Sequence, residues 1–149
     1  MKGSGTLLTK YQMGRILCID YGLKRTGIAV TDPFKIIATA VGTIPTAQIF
    51  YFLKKYFSEE TVELVLVGEP RNLDDSDTDA TPFVRRFVKK FQKTFPDLPL
   101  KTVDERFSSV LASRAMIEMG MKKKERQVKG NIDQVAATMM LQEYLASGK

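Results

Sequence analysis

Acidic side chains at the ends of apolar segments are the best candidates for chemistry in this sequence. Asp20 ends the apolar run RILCID, Glu69 follows VELVLVG, Asp104 and Glu105 end PLKTVDE, and Asp133 lies near the start of the last predicted helix. Carboxylates that come from separate elements suit Mg²⁺ or Mn²⁺, since these hard cations prefer oxygen ligands. Two such ions about 4 Å apart can activate a water molecule and stabilise the leaving oxygen of a phosphodiester. The pattern therefore predicts metal-dependent hydrolysis of a phosphodiester.

The composition favours the same chemistry by what it lacks. The 149 residues include no histidine and a single cysteine, Cys18, which lies inside an apolar run. Histidine-based triads, imidazole general bases, His-ligated zinc sites and thiolate clusters are therefore excluded. Carboxylates remain as the groups that can carry the reaction, and Cys18 is predicted to be a core residue.

Each acidic position also has a purely structural interpretation. Asp133 would complement the dipole of its helix, Asp20 would belong to turn chemistry before Gly22, and Glu69 would be a solvated strand end. Asp104 and Glu105 alternate across a strand, so at most one of them is expected to face a shared site. These alternatives stay open at the level of the residues.

Basic residues near the acids are candidates for binding phosphate. The net charge of +6 favours a polyanionic partner, and nucleic acid is favoured over a membrane because no basic amphipathic anchor stands out. Lys24 and Arg25 follow Asp20 in a predicted turn. A dense basic segment precedes Asp133, with solubility as its competing interpretation. Its cations are Lys122, Lys123, Lys124, Arg126 and Lys129.

Other charged and aromatic groups are given simpler interpretations. Residues 85, 86, 89, 90 and 93 form the polar face of a Phe-striped helix and are predicted to be a solvated face. The Asp-rich loop EPRNLDDSDTDA lacks a regular calcium-binding spacing and is predicted to be a mobile, solvated segment. Tyr21 and Phe107 could offer stacking surfaces, with core packing as the alternative.

The spacing of apolar residues predicts the elements that must position these groups. Strands are expected at 15–20, 26–32, 35–44, 62–68 and 99–105, with helices that begin near residues 46, 81, 108 and 131. Thr81 and Pro82 are expected as the N-cap and first residue of the second helix. The order βββαβαβαα predicts an α/β fold, a five-stranded mixed sheet with helices on both faces. In such a sheet the sites lie at the carboxyl ends of the central strands.

The length fits a single domain over residues 14–149. Residues 1–13 lack periodicity and are expected to be a poorly ordered N-terminal extension, a misassigned start or a tag. The sequence contains no apolar segment long enough to span a bilayer, its N-terminus has no apolar signal core, and its single cysteine fits a reducing compartment. We therefore expect a cytoplasmic protein without membrane contact, either a monomer or a homodimer.

The combined pattern resembles the YqgF, or RuvX, family of pre-16S rRNA nucleases, earlier described as Holliday junction resolvases, in the RNase H-like superfamily. The residues that carry the resemblance are ILCIDYGLKRTGIAVTD (16–32), LVLVGEPRNLDD (64–75), VDERFSS (103–109) and NIDQVAATMMLQEYL (131–145). The resemblance implies an RNase H-like fold and a metal-dependent endonuclease that matures the 5′ end of the small-subunit ribosomal RNA.

Carried over by position, the resemblance implies catalytic carboxylates at Asp20, at Asp104 or Glu105, and at Asp133, with Asp20, Glu105 and Asp133 as the metal ligands. The chain departs from the family at Glu69, where most relatives have an apolar residue. In the resolvases of the superfamily this strand does end in an acid. Which of Glu69, Asp104 and Glu105 completes the site therefore stays open.

Three functions are compatible with this pattern. The leading hypothesis is a nuclease that cleaves structured RNA with two Mg²⁺ or Mn²⁺ ions, bridged by Asp20, with phosphates positioned by Lys24, Arg25 and Arg106. The second is a DNA junction resolvase, which would need a dimer to present two sites. The third is a nucleic-acid-binding module without catalysis. Sugar kinases and actin-like ATPases need two such domains, so 149 residues are too few.

Overall fold

A computed structural model describes residues 14–72, 74–105 and 131–147, without the side chains of residues 131 and 132. The predicted extension 1–13, the predicted helix 108–119 and the basic segment 121–130 lie outside the described residues. The five strands are β1 (Arg15–Asp20), β2 (Arg25–Thr31), β3 (Ala38–Pro45), β4 (Val62–Glu69) and β5 (Leu100–Asp104). The helices are α1 (Ile49–Glu59), α2 (Thr81–Thr94) and α3 (Asn131–Ala146).

The strands form one mixed sheet in the order β3-β2-β1-β4-β5. β1 pairs antiparallel with β2, and β2 antiparallel with β3, as a meander requires. β4 pairs parallel with both β1 and β5, because α1 and α2 each return the chain to the same edge of the sheet. The carboxyl ends of β1, β4 and β5 therefore lie at one edge. The predicted five-stranded mixed sheet is confirmed.

Helices cover both faces of the sheet and bury two apolar clusters. On one face, residues of α1 and α2 such as Leu53, Phe87 and Phe91 pack on Leu17 and Ile19 of β1. On the other face, Ala136, Ala137, Met140 and Leu141 of α3 pack on Ile16, Cys18 and Leu66. Alternate residues of β1 thus belong to opposite clusters, as the two-residue period of a strand dictates. Among the described residues, no helix is long and apolar enough to cross a bilayer.

The start of α2 differs from the prediction by one residue. The N-cap is Ala80, without a side-chain cap, and Thr81 is the first helical residue. The Thr81 hydroxyl donates to the Pro70 carbonyl at 2.7 Å and accepts the Thr78 N–H at 2.9 Å. The predicted capping role of Thr81 is therefore wrong, because its hydroxyl fastens the preceding loop instead.

The helix expected from residue 46 also begins later than predicted. Residues Thr46–Gln48 form a 3₁₀ turn, and the α-helix starts at Ile49. Thr46 is buried, and its hydroxyl lies 2.8 Å from the hydroxyl of Thr26 in β2. This bond ties the end of β3 to the start of β2, next to the end of β1.

Candidate functional site

Asp20 is the last residue of β1 and is only 6% exposed. It lies opposite Gly27 in the antiparallel register with β2. Its side chain shares a face of the sheet with Ile16 and Cys18, the face that α3 covers. The apolar run that precedes Asp20 therefore fixes it in a nearly water-free position at the carboxyl edge.

The turn between β1 and β2 is anchored by Thr46. The Thr46 hydroxyl donates to the Gly22 carbonyl at 2.6 Å, and the Thr46 N–H donates to the Lys24 carbonyl at 2.9 Å. A Cβ atom on Gly22 would overlap the carbonyl oxygen of Arg25, so the turn can close only around a glycine. The two predicted phosphate contacts, Lys24 and Arg25, are thus presented by a fixed turn beside Asp20.

Glu105 follows β5 directly and is 4% exposed. Its N–H donates to the Glu69 carbonyl at 3.4 Å, which continues the pairing of β5 with β4 by one residue. The carboxylate lies over Gly68, where an added Cβ would overlap Oε2 of Glu105 and come within 2.7 Å of Sδ of Met140. Since Met140 belongs to α3, Glu105 shares its face of the sheet with Asp20.

The Cys18 thiol lies near both buried carboxylates, Asp20 and Glu105. Burial raises the pKa of Cys18 well above its ordinary value, and the negative charges of Asp20 and Glu105 raise it further. Cys18 is completely buried, as predicted for a core residue. A thiol with a raised pKa stays protonated, so Cys18 is a neutral neighbour of the acids rather than a nucleophile.

Asp133 lies in the first turn of α3, and its main chain rests directly on β2. A Cβ atom on Gly27 would overlap the carbonyl of Asp133 and lie 2.6 Å from the backbone nitrogen of Gln134. The Asp133 carboxylate forms an ion pair with Arg25, with 3.4 Å between Oδ2 and Nε. Because Gly27 is the register partner of Asp20, this close contact brings the start of α3 beside the end of β1.

Glu69 and Asp104 lie on the opposite face of the sheet. They are register partners, and their face includes Leu100, which packs with α1 and α2. Glu69 pairs with Arg85 at 3.2 Å and with Arg71 at 3.6 Å. An open pocket of about 400 Å³ is lined here by Glu69, Arg71, Asp75, Arg85, Thr102 and Asp104. The structure thus brings together Asp20, Glu105 and the start of α3, and places Glu69 and Asp104 elsewhere.

The loop after β4 is mostly exposed, as predicted for a solvated segment, and it carries a network of ion pairs that the sequence analysis did not include. Arg71 binds Asp77 at 2.8 Å and Asp75 at 3.1 Å, and Arg85 of α2 also binds Asp77 at 3.0 Å. With Glu69, these residues close a ring of alternating charges. The part of Arg85 in this network was not predicted, because Arg85 and Glu69 are 16 residues apart and Arg85 could not be distinguished from the solvated face of α2.

The remaining predicted contacts to nucleic acid lie outside the described residues. They are Arg106, Lys122, Lys123, Lys124, Arg126 and Lys129, together with the candidate stacking residue Phe107. Tyr21, the other stacking candidate, packs on Phe87 with 4.4 Å between ring centroids. Of the predicted phosphate contacts, the structure therefore describes Lys24 and Arg25.

The donor chemistry of the site fits a hard divalent cation, because its polar groups are carboxylates and its one thiol stays protonated. Within residues 14–72, 74–105 and 131–147, no three histidine, cysteine or acidic side chains are grouped so that they could hold a metal ion. Mg²⁺ is commonly held by one or two carboxylates together with waters and substrate phosphates. Two buried acids, Asp20 and Glu105, on one face at the carboxyl edge of the sheet meet that lower requirement.

The RuvX family model, described as a Holliday junction resolvase, matches residues 14–147. The chain belongs to the RuvX family. The match covers β1 to α3, so the described elements form a RuvX domain, and the predicted RNase H-like fold is confirmed.

Three relatives in the RuvX family show how far the similarity extends. A protein of Flavobacterium johnsoniae named "Putative pre-16S rRNA nuclease" is 50% identical over 91% of this chain and 98% of its own length. Proteins of the same name from Christiangramia forsetii and Bacteroides thetaiotaomicron are 47% and 45% identical. They align with 89% and 91% of this chain, and with 98% of their own lengths.

Two positions that shape the site are absent from the sequence-based predictions. Gly27 and Gly68 are strand glycines against which the start of α3 and the Glu105 carboxylate pack. An isolated glycine inside a strand pattern is a known signal of close approach by another group. That signal is present in RTGIAVT and VELVLVGE, and it could have indicated which edge of the sheet holds the site.

Proposed function

We propose that this protein is a metal-dependent endonuclease that hydrolyses phosphodiesters in structured RNA, and that it acts in 5′-end processing of pre-16S rRNA. The observation that carries the proposal is the pair of buried carboxylates, Asp20 and Glu105, on one face of the sheet at the carboxyl edge. The start of α3, with Asp133, packs against the same edge. The names of relatives that are 45–50% identical support RNA as the substrate.

In this proposal Asp20, Glu105 and Asp133 hold Mg²⁺ or Mn²⁺. When bound, such ions lower the pKa of a water molecule and neutralise charge on the transferring phosphate. The chain contributes a rigid, buried acid at the end of β1 and a second acid fixed over Gly68. Lys24 and Arg25 extend from the anchored turn next to these acids, where they would orient phosphates of the substrate.

The Asp133 carboxylate is the adjustable member of the set. Its side chain is 21% exposed and is paired with Arg25, a contact of modest strength at a partly exposed position. A substrate phosphate near Arg25 would compete for the same guanidinium. We therefore propose that Arg25 exchanges Asp133 for a phosphate when RNA binds, and that Asp133 acts as a metal ligand in that state.

A junction resolvase acting on branched DNA is the second candidate, and the description of the family model favours it. The same carboxylates would serve, but two sites would have to face two strands, so a homodimer would be required. Sedimentation of the protein alone and with a four-way DNA junction distinguishes the candidates. A monomer that cleaves structured RNA and leaves the junction intact supports the RNA nuclease.

The proposal is tested by substituting the five acids one at a time with their amides. We expect Asp20→Asn and Glu105→Gln to reduce Mn²⁺-dependent cleavage of a pre-16S rRNA fragment by at least about 100-fold, because each removes a charged ligand. Asp133→Asn should also reduce cleavage. Glu69→Gln and Asp104→Asn should keep it within a fewfold of the wild type, because these side chains lie on the other face.

The last two variants are the matched controls, since they change the same charge at the same edge of the sheet. Circular dichroism and thermal unfolding would establish that all five variants are folded. Undiminished cleavage by Asp20→Asn would refute the mechanism. Loss of cleavage in Glu69→Gln together with full activity in Glu105→Gln would move the site to the opposite face.

A further inference from the structure

Helix α2 presents a basic surface that begins at the same edge of the sheet as the buried carboxylates. The helix contains five cations and no acidic residue: Arg85, Arg86, Lys89, Lys90 and Lys93. It starts at Thr81, shortly after the carboxyl end of β4, and runs toward the opposite edge. Its first turns are therefore close to the candidate site, and its last turn, with Lys93, is far from it.

Phe83 and Arg86 form one unit on the first turns of α2. Phe83 is 38% exposed, and the Arg86 guanidinium lies over its ring, 4.6 Å from the centroid. The pair is three residues apart and so occupies one side of the helix. An exposed ring with a planar cation on it resembles the surfaces on which proteins stack unpaired bases and hold the adjoining phosphates.

A second contact connects this unit to the end of β1. Tyr21, the residue after Asp20, stacks on Phe87 of α2 with 4.4 Å between centroids and 20° between the ring planes. Because Phe87 directly follows Arg86 in the helix, this stacking places Arg86 close to Tyr21 and so to the end of β1.

The neighbouring cations of α2 have other partners. Arg85 is bound to Glu69 and Asp77, and the Lys90 ammonium lies 4.7 Å from the ring centroid of Phe50. Among the described residues, Arg86 forms no ion pair with a carboxylate. Its partner is an exposed aromatic ring, a contact that leaves its N–H donors able to bind phosphate oxygens.

We propose that Phe83 and Arg86 form a subsite for single-stranded RNA next to the cleaved bond. Phe83 would stack one unpaired base, and Arg86 would bind the adjoining phosphate, so that the strand crosses the edge of the sheet past Tyr21 to Asp20. The inference rests on the proposed RNA nuclease function and assigns to α2 the recognition of an unpaired segment. A fully paired duplex offers no free base to Phe83 and would not use this subsite.

The test measures binding without cleavage, by fluorescence anisotropy of a labelled single-stranded RNA in EDTA. Phe83→Leu keeps an apolar side chain but removes the aromatic face, and should weaken binding roughly 5- to 150-fold, the range for loss of one stacked base. Phe83→Trp keeps an aromatic face and should bind the RNA with an affinity close to that of the wild type. Arg86→Ala should weaken binding and reduce the slope of log affinity against log salt by about one.

Lys93→Ala is the matched control, because it removes the same charge from the same helix at its distant end. It should leave the affinity within twofold of the wild type and the salt slope unchanged. A duplex of the same sequence should bind equally to Phe83→Leu and the wild type. Equal effects of Phe83→Leu on single strand and duplex, or of Arg86→Ala and Lys93→Ala, would refute the subsite.

Its failure is separable from failure of the nuclease function. If the wild type cleaves RNA and Asp20→Asn does not, while Phe83→Leu and Arg86→Ala bind like Lys93→Ala, only the subsite is refuted. If Phe83→Leu and Arg86→Ala lose affinity as expected while no protein cleaves RNA with Mn²⁺, the subsite is supported and the catalytic proposal fails.

Discussion

At the scale of single residues, two glycines determine how closely the acidic groups can approach the sheet. Gly27 faces backbone atoms of Asp133 and Gln134, whereas Gly68 faces the ends of the flexible side chains of Glu105 and Met140. Backbone cannot move aside without shifting the whole helix, but a side-chain end can rotate away. The two glycines should therefore respond differently to the same substitution.

We predict that Gly27→Ala lowers the stability of the protein by about 1–3 kcal/mol or more, because α3 must move off β2. Gly68→Ala should change the free energy of unfolding less, but should reduce Mn²⁺-dependent cleavage at least tenfold by displacing the Glu105 carboxylate. Urea denaturation and cleavage assays on both variants check this. A more stable protein with Gly27→Ala, or a fully active one with Gly68→Ala, would contradict the packing described.

At the scale of elements, the connection between β2 and β3 shows how a turn holds the meander together. The Asp32 carboxylate accepts hydrogen bonds from the N–H groups of Ile36 and Ile37, both at 2.7 Å, and of Phe34 at 3.0 Å. These bonds lower the pKa of Asp32 below its ordinary value, with the bond from Ile37 as the largest cause. The loop therefore depends on the ionised form.

The sign of the pH dependence follows from that lowered pKa. A carboxylate whose pKa is lower in the folded state stabilises the protein at pH values above its pKa in the unfolded chain, about 3.9. This contribution is lost as the pH falls through the pKa of the folded state. We predict that Asp32→Asn unfolds at lower urea concentration than the wild type at pH 7, and that the difference shrinks as pH falls below about 4.

Asp97→Asn, an exposed substitution in the connection from α2 to β5, is the control for the loss of one charge and should show a smaller difference at pH 7. Urea titrations at several pH values from 7 downward provide the comparison. A difference between Asp32→Asn and the wild type that grows on acidification would contradict the role of the ionised carboxylate.

At the scale of the whole molecule, the fold is held by apolar clusters on both faces of the sheet rather than by the site. The clusters on the α1–α2 face and on the α3 face involve all five strands or their flanking residues. The candidate acids lie at the edge of this core. Metal removal should therefore abolish cleavage without unfolding the protein, in contrast to small domains whose core is a metal site.

We predict that Mn²⁺ raises the melting temperature of the wild-type protein and leaves that of Asp20→Asn nearly unchanged. An ion that binds only the folded state adds about 2.7 kcal/mol at a concentration one hundred times its dissociation constant. Glu69→Gln should respond like the wild type, which makes it the control. Equal stabilisation of all three proteins by Mn²⁺ would place the ion elsewhere.

The sequence by itself determined the order of the described strands and helices, because apolar periodicity is a local property. The double-sided apolar runs RILCID and VELVLVG identify β1 and β4 as central strands, and the position of Asp20 at the end of β1 is enough to make it a candidate. The absence of histidine restricts the chemistry to carboxylates through composition alone.

Only the tertiary structure decided which acids lie on the same face of the sheet. Successive residues of a strand point to opposite faces of the sheet. A difference of one residue in the position of an acid therefore moves its side chain to the other face. Glu105 therefore joins Asp20 under α3, while Asp104 and Glu69 join Arg85 beside α2. The contact of Gly27 with α3 and the ion pair between Arg85 and Glu69 join residues that are distant in sequence. Local sequence patterns could not reveal them, because only folding brings these residues together.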